Sequence, residues 1–340
     1  MTAGFLFLFM IGNTWVGEFD MTLLSDRSKT DSSVSASIVR PPRLTAGDQV
    51  GIVALSGPVD QNRLMAGIRI LEQFQLRPVL SRYLFCKNTY LAGSDRERAE
   101  ALNQYFHDPD IRAIICARGG YGALRILPYL NFEWISQNPK ILIGFSDVTA
   151  LLTAVYQHCG LTVFHGPMVS TLPDISEISR QSFFQAIHSD IPMTYHFPEA
   201  RILHPGQASG ILFAGNLTTL SHLLKTPYEP RLDGHILAIE DINEALYRID
   251  RMVTQMMMAG CFDKIRGLVL GGFDGCGDSL AVHHFFQKAF DHLHIPILAG
   301  CGIGHGTENV TLPIGLNATI STGHRSIVFD VPATRSRSIC

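Results

Sequence analysis

Ser146 is the first residue of this sequence whose type and position could carry chemistry. It stands in GFSD, where an apolar β-branched run gives way to a helix-like stretch. A sharp strand-to-helix turn exposes a side chain as a nucleophile requires, and the amide of Asp147 would lie at a helix start, where it could stabilise an oxyanion. The motif lacks the second glycine of G-x-S-x-G, and Ser before a helix is more often an N-cap. Both interpretations stay open on this motif alone.

A pair of glycines follows another apolar run, in the segment ARGGYG at residues 117–122. Adjacent glycines let backbone amides approach a ligand closely, so this turn could supply a second oxyanion donor. A tight turn that needs positive φ explains the glycines equally well. The segment has neither the Walker lysine nor the G-x-G-x-x-G spacing, which argues against a phosphate-binding loop.

An acid and a histidine stand at two further strand ends. Glu240 ends the apolar run HILAIE, from which a carboxylate can orient an imidazole, although its neighbour Asp241 is a rival and either could serve the helix that follows. Among the fourteen histidines, His305 alone is enclosed by glycines in a loop after an apolar run. Loops at one rim of a parallel sheet build active sites. The residues by themselves predict an α/β protein and leave a hydrolase and a binding protein open.

Composition limits the partners of this chain. Its 340 residues are 46% hydrophobic and 17% charged, which is typical of a globular protein, and a net charge of -3 without a basic stripe argues against nucleic acid. The seven cysteines are widely spaced, with no metal-ligand pattern, and predict free thiols in a reducing, cytoplasmic compartment without a bound metal. The apolar segment 5–16 is too short to span a bilayer, so no membrane partner is expected.

The order of patterns predicts two domains. From Leu44 onwards, short β-branched runs alternate with helix-like stretches, which favours βαβ units and parallel strands. Prolines interrupt the pattern before a second α/β part begins. The polar N-terminal stretch reads as poorly ordered, although a true start at Met21 or an atypical signal would explain it too. The predicted divisions are a 1–42 extension, a 43–170 domain with the serine, a 171–205 connecting region, a 206–334 domain with the acid and histidine, and a 335–340 tail.

These motifs resemble, in order from about Arg43 to Ser321, the LD-carboxypeptidase family of serine peptidases. The matching segments are RLTAGDQVGIVALSGPV, YLAGSDRERAEALNQYFHDPDIRAIICARGGYGALRILPYLNF, GFSDVTALL, IEDINEALYRIDRMVTQM and GIGHGTENVTLPIG. Two departures stand out: ALSGPV lacks the Pro-Ser pair often seen after the first strand, and the N-terminal extension is foreign to the family.

The resemblance assigns a role to each candidate residue. It implies Ser146 as nucleophile, His305 as general base and Glu240 as the acid that orients it. It also implies two α/β domains with the site between them, no cofactor or metal, and a homodimer. The remaining expected site residues are Asp147 and Gly120 as oxyanion-hole amides, and Gly119 and Tyr121 as substrate contacts.

The resemblance also implies a substrate, the small murein tetrapeptide of the cytoplasm, from which the terminal D-alanine is released during cell-wall recycling. One alternative is the immunity branch of the same family, which cleaves a peptide-nucleotide antibiotic. That site should need an aromatic platform for the base, and the sequence has only Trp15 and Trp134, neither in an evident pocket loop. A second alternative is a non-catalytic two-domain protein that closes on a peptide.

Overall fold

The structure is a computed structural model, and it describes residues 10–11, 14–15 and 38–337. The extension predicted for residues 1–42 therefore lies mostly outside the described residues, as does the end of the tail predicted for 335–340. Where the extension is described, Pro42 bridges to Arg335 and joins the fold. None of the helices in the described ranges is long and apolar enough to cross a lipid bilayer.

Strands and helices alternate along the described part of the chain, as the sequence predicts. In chain order the strands are β1 (Met10–Ile11), β2 (Thr14–Trp15), β3 (Gln49–Val53), β4 (Arg77–Leu80), β5 (Ile111–Cys116), β6 (Ile141–Gly144), β7 (Val163–His165), β8 (Thr194–His196), β9 (Arg201–His204), β10 (Gln207–Asn216), β11 (His235–Ile242), β12 (Gly267–Asp274), β13 (Ile297–Ala299), β14 (Leu312–Ile314), β15 (Asn317–Ser321) and β16 (Ser326–Phe329). The helices are α1 (Gln61–Gln73), α2 (Asp95–His107), α3 (Ala123–Ile126), α4 (Phe132–Gln137), α5 (Thr149–Cys159), α6 (Glu177–His188), α7 (Leu217–His222), α8 (Leu246–Met258) and α9 (Ser279–Phe290).

The first large sheet is a parallel one with a single antiparallel edge. Its strand order is β14-β7-β6-β5-β3-β4, and β3 to β7 all run in the same direction. The strands β5 and β6 are apolar and buried almost throughout, which is how strands covered on both faces read in a sequence. The carboxyl ends of β3, β5 and β6 meet at one edge, so the turns after them lie together.

Local sequence signals set the ends of the helices around this sheet. The side chain of Ser94 caps α2, and Glu97 reaches back to the Ser94 amide, which completes a capping box. α5 ends at Gly160, whose φ of 59° is the left-handed conformation that a side chain disfavours.

The second large sheet is mixed. Its order is β8-β16-β15-β10-β11-β12-β13-β9, with four parallel strands, β10 to β13, at its centre and antiparallel strands on both sides. Near its C-terminal end the chain forms a hairpin, in which β15 pairs antiparallel with β16. The α/β fold with a parallel sheet followed by a second α/β part is therefore confirmed.

The chain passes from the first sheet to the second after β7, back to the first after β13, and to the second again after β14. After β13 the chain leaves the second sheet and returns to the first, where Leu312 of β14 pairs with His165 of β7. Pro313 lies inside β14, which is tolerated because β14 is an edge strand. The loop between β13 and β14, which carries His305, therefore bridges the sheets.

The segment 171–205 contains more regular structure than a simple connection. It carries α6, whose Phe183 and Ile187 are fully buried, and the strands β8 and β9 that form the two edges of the second sheet. Both strands are very short, and prolines lie between the elements rather than inside them. Short edge strands that are separated by prolines show little alternation of apolar and polar residues, which explains why the sequence suggests a connecting region here.

Candidate active site

Ser146 stands immediately beyond β6, on a strained turn. Its φ is 63°, a left-handed conformation that non-glycine residues seldom adopt, and it opens a short 3-10 segment that leads into α5. A Cβ placed on Gly119 would lie 3.2 Å from the Ser146 hydroxyl oxygen, so this glycine leaves room beside the serine. The predicted strand-turn-helix geometry is present, with the serine side chain partly exposed at the sheet edge.

The carboxylate of Asp147 ties three turns together. It accepts hydrogen bonds from the Ser56 hydroxyl at 2.5 Å and from the Ala123 amide at 2.7 Å. Ser56 belongs to the turn after β3 and Ala123 to the start of α3 after β5. Burial raises the pKa of Asp147, while the bonds from Ser56, Ala123 and Gly122 act to lower it. Sequence reasoning considered only the backbone amide of Asp147 and missed this role of its side chain.

The glycine turn lies directly against the serine. Gly119 is buried there, whereas Gly120, with a φ of 121°, is exposed and its amide donates no hydrogen bond to another residue in the range 38–337. Tyr121 is half exposed, and its ring lies 5.8 Å from that of Tyr90. Gly119 thus touches the candidate nucleophile, while Gly120 has a free amide and Tyr121 an exposed ring on the same turn.

Glu240 and His305 form a close pair. The Nδ1 atom of His305 lies 2.6 Å from Oε2 of Glu240, whose side chain is fully buried. A Cβ on Gly304 would lie 2.7 Å from the same carboxylate oxygen, so only a glycine fits before the histidine. With Nδ1 directed at the carboxylate, Nε2 is left as the atom that can exchange a proton with a nucleophile.

Two opposing effects set the pKa values of this pair. Burial lowers the pKa of His305, but the hydrogen bond and the negative charge of Glu240 outweigh it, so the pKa is raised above the ordinary value. Burial raises the pKa of Glu240, against the bond and charge of His305. The imidazole is therefore a stronger base than a free histidine.

Phe145 places His305 next to the serine turn. The rings of Phe145 and His305 lie edge to face with centroids 4.8 Å apart, and Phe145 immediately precedes Ser146. Within the range 38–337 no hydrogen bond joins the Ser146 hydroxyl to the His305 ring directly. The structure brings Glu240 and His305 into contact and sets them beside the turn that carries Ser146.

Asp241, the rival acid, faces a different group. Its carboxylate accepts hydrogen bonds from the Asn216 side-chain amide at 3.0 Å and from the Thr218 amide at 2.9 Å. These bonds hold the start of α7. Adjacent residues of a strand point to opposite faces, so only one of the two acids can reach His305, and it is Glu240.

The histidine loop is fixed by residues that sequence reasoning missed. The side-chain oxygen of Asn309 accepts a hydrogen bond from the Gly304 backbone amide at 3.0 Å, and the backbone amide of Asn309 donates to the Ser179 hydroxyl at 2.7 Å. Ser179 lies in α6, within the segment interpreted as a connection. A buried asparagine in a glycine-rich loop is the signal that could have identified this anchor.

The candidate site is built from both sheets. Among residues 38–337 there is no group of three or more histidine, cysteine or acidic side chains that could hold a metal ion. One α/β unit presents a serine after a parallel strand, and the second presents an imidazole and a buried carboxylate. This arrangement suits a serine hydrolase built from two α/β units.

Comparisons with known proteins give the family. The model for the LD-carboxypeptidase N-terminal domain matches residues 50–166, and that for the C-terminal domain matches residues 209–320. The chain is 35% identical over 300 residues to the "Probable murein peptide carboxypeptidase" of Bacillus subtilis, a match that covers 86% of this chain and 94% of that protein. The chain belongs to the LD-carboxypeptidase family and is a serine-type carboxypeptidase.

Two solved structures share the fold. The muramoyltetrapeptide carboxypeptidase from Oxalobacter formigenes superposes with a TM-score of 0.74 at 28% identity, covering 85% of this chain and all (100%) of that one. The microcin C7 self immunity protein MccF in complex with aspartyl sulfamoyl adenosine gives a TM-score of 0.82 at 26% identity, covering 87% and 100%. The two-domain fold is thus shared by proteins named for different substrates.

Proposed function

We propose that this protein is an LD-carboxypeptidase that releases the terminal D-alanine of murein tetrapeptides through Ser146, His305 and Glu240. The observation that carries the proposal is the 2.6 Å contact between His305 and Glu240, with the imidazole packed on the residue before Ser146. A nucleophile, a base and a group that orients the base are then in one place. These are the parts that acyl transfer needs.

The proposed reaction has two halves. Ser146 attacks the carbonyl that joins an L-centre to the D-residue, while Nε2 of His305 takes the hydroxyl proton and Glu240 stabilises the imidazolium. His305 then gives this proton to the departing amine, so D-alanine leaves and an acyl-enzyme remains. Water, deprotonated by His305, then attacks the ester carbonyl. The bond to the Ser146 oxygen breaks as His305 returns the proton to it, and the shortened peptide leaves with a new carboxylate. The direct bond from Ser146 to His305 forms on substrate binding, since catalytic hydrogen bonds tighten in the Michaelis complex.

Backbone amides stabilise the oxyanion in this proposal. We assign the role to the amides of Asp147 and Gly120, and contacts to the peptide to Gly119 and Tyr121. The free, exposed amide of Gly120 beside the serine turn supports the assignment. A fixed pair of N–H donors aimed at the developing charge lowers the barrier without reorganisation.

The substrate and the setting are proposed on the names of relatives. Murein peptide and muramoyltetrapeptide carboxypeptidases are among the proteins that this chain resembles. We accordingly propose murein tetrapeptide as the substrate and cell-wall recycling in the cytoplasm as the role. The homodimer and the domain limits 43–170 and 206–334 also stand as proposals.

A single assay tests the proposal. Incubation of the protein with murein tetrapeptide, followed by mass spectrometry, should show the loss of one alanine and the appearance of free D-alanine. An amidated or all-L peptide serves as the control substrate. Binding without turnover would instead favour a peptide-binding protein.

A peptide-nucleotide substrate is the second candidate, because the fold matches MccF closely. The same three residues would act, with a different pocket for the leaving group. Trp134, an aromatic side chain that could stack on a base, lies on α4 and packs on His107 at a centroid distance of 4.6 Å. That places it in the helix layer, so we rank this candidate second. Cleavage of an aminoacyl sulfamoyl adenosine but not of the tetrapeptide would reverse the order.

Asp147→Asn should lower kcat about 10- to 100-fold with a smaller change in KM. An asparagine would place an NH₂ group against one of the donors that now form hydrogen bonds to the carboxylate. The glycine turn and the serine turn would then shift relative to each other. Displacements of about 1 Å at a catalytic site have effects of this size. Steady-state kinetics with the tetrapeptide measure both constants.

Ser56→Ala is the matched variant for this prediction. It removes one donor to Asp147 and should cost about 1 kcal/mol of stability with a milder loss of kcat. An Asp147→Asn protein with wild-type kcat would contradict the positioning role, and thermal unfolding of both variants identifies a mere loss of folding.

A further inference from the structure

Arg118 is an exposed cation, on the glycine turn that adjoins the candidate nucleophile, and nothing described above uses it. It precedes Gly119, the residue that contacts Ser146, on the turn after β5. A peptidase that acts on the last bond of a chain must recognise the carboxylate that ends it. The inference that follows rests on the proposed function and concerns this recognition.

Geometry limits where such a recognition group can stand. The terminal carboxylate lies one residue beyond the scissile carbonyl, and one residue spans at most ~3.6 Å. The group that binds the carboxylate must therefore reach the space beside Ser146, and side chains on the adjacent turns are placed to do so. The turns after β3 and β5 meet this condition, because the Gly57 amide donates to the Gly119 carbonyl at 3.0 Å.

The arginines around these turns differ in whether a carboxylate pairs with them. Three nearby guanidinium groups are paired with a carboxylate, those of Arg63, Arg98 and Arg125. No carboxylate within the range 38–337 pairs with Arg118, whose Nη1 instead donates to the Pro58 carbonyl at 2.7 Å. Its positive charge is thus uncompensated at the rim of the site.

The head group of Arg118 is held in place. A Cβ on Gly57 would lie 3.6 Å from Nη1 of Arg118 and 3.2 Å from the Gly119 carbonyl oxygen, so the guanidinium packs against the turn after β3, which is hydrogen-bonded to the turn that adjoins Ser146. A guanidinium has five N–H donors, and the bond to Pro58 uses one. The others suffice for a two-pronged contact with a carboxylate, which is the geometry that arginine favours.

We propose that Arg118 binds the terminal carboxylate of the substrate and so makes the enzyme select the last peptide bond. The residue is a specificity determinant, and it takes no part in proton transfer. Its contact positions the D-residue so that the preceding carbonyl faces Ser146.

Two substrates and two variants of Arg118 test this proposal. The wild-type enzyme should hydrolyse the tetrapeptide acid with a kcat/KM about 10- to 100-fold above that of the same peptide with a terminal carboxamide, as expected for one charge-assisted contact. Arg118→Ala should reduce the acid to the level of the amide and leave the amide nearly unchanged. Arg118→Lys should recover part of the preference.

Arg112→Ala is the control variant. Arg112 is another exposed arginine, near the opposite end of β5, and its loss should leave the acid-to-amide ratio at the wild-type value. If Arg118 merely supports the Pro58 turn, Arg118→Ala will slow both substrates equally. That result, or an unchanged ratio, would overturn the proposal.

A binding measurement separates this inference from the proposed function. In the Ser146→Ala background, calorimetry should give tighter binding for the acid than for the amide, and Arg118→Ala should abolish the difference. If the wild-type enzyme releases no D-alanine, the proposed function fails, yet the binding ratio still decides the role of Arg118. Equal affinity for acid and amide in the Ser146→Ala protein would overturn it.

Discussion

Ser146→Ala is expected to lower kcat for murein tetrapeptide about 10⁶-fold while leaving a folded protein that still binds the peptide. The side chain takes part in no hydrogen bond within the range 38–337, so its removal breaks no contact that stabilises the fold. Alanine can hold the turn with φ of 63° at a cost similar to that of serine. The variant should therefore melt within a few degrees of the wild-type protein.

A serine-reactive probe gives an independent test of whether Ser146 is the nucleophile. Mass spectrometry should locate the acyl or phosphonyl adduct on Ser146 in the wild-type protein and find none in the variant. Ser136→Ala, which removes an exposed hydroxyl from α4, is the control and should keep wild-type activity. Turnover within about tenfold of wild type in Ser146→Ala would rule out this serine as the nucleophile, because binding and oxyanion contacts alone cannot sustain such a rate.

The candidate residues could be located from the sequence because each stands at the end of an apolar run or in the loop that follows one. GFSD begins at Gly144, the last of the four buried residues of β6, whereas β11 continues to Ile242, two residues beyond the Glu240 predicted to end it. The end of a strand can be recognised in a sequence because an apolar run stops abruptly at a polar or glycine residue. The apolar run does not show whether Glu240 or Asp241 faces His305. Glu240 and Asp241 differ only in which face of β11 they occupy, and that depends on the register with neighbouring strands.

Long-range contacts account for what the sequence did not predict. The pairing of β14 with β7 carries the histidine loop from one sheet to the other, yet LPI is too short and too proline-rich to be identified as a strand. The bond from Ser56 to Asp147 joins two turns that are far apart in the chain. A local pattern contains no information on such a pair, because either residue alone reads as a turn or a helix cap.

His165 is a second histidine near Ser146, and its properties depend on long-range contacts that the sequence does not show. It ends β7, is fully buried, and has neither ring nitrogen hydrogen-bonded to another described residue. Burial and the charge of His305 lower the pKa of His165 to about 3, so this ring stays neutral near neutral pH. It packs edge to face on Phe145, which in turn contacts His305. Of the two histidines near Ser146, only His305 has a carboxylate to make it basic.

Glu240→Gln is expected to lower kcat about 10⁴-fold and to move the pH profile towards acid. His305 must be neutral to accept the serine proton, so kcat/KM of the wild-type enzyme should rise with pH through an inflection above 6.5, the ordinary pKa of histidine. The negative charge of Glu240 and its hydrogen bond hold this pKa up. Glutamine removes the charge, and burial, which lowers the pKa of His305, then prevails. The inflection should fall below its wild-type position, and kcat/KM measured across pH determines it.

Asp241→Asn is the matched control, since it neutralises the adjacent carboxylate without touching His305. This variant should weaken the start of α7, where Asp241 holds Thr218, and lower the melting temperature, but it should shift the inflection far less than Glu240→Gln. The comparison removes any general effect of a lost negative charge in β11. An inflection that stays in place in Glu240→Gln, or that moves equally in both variants, would mean that the 2.6 Å contact does not set the basicity of His305.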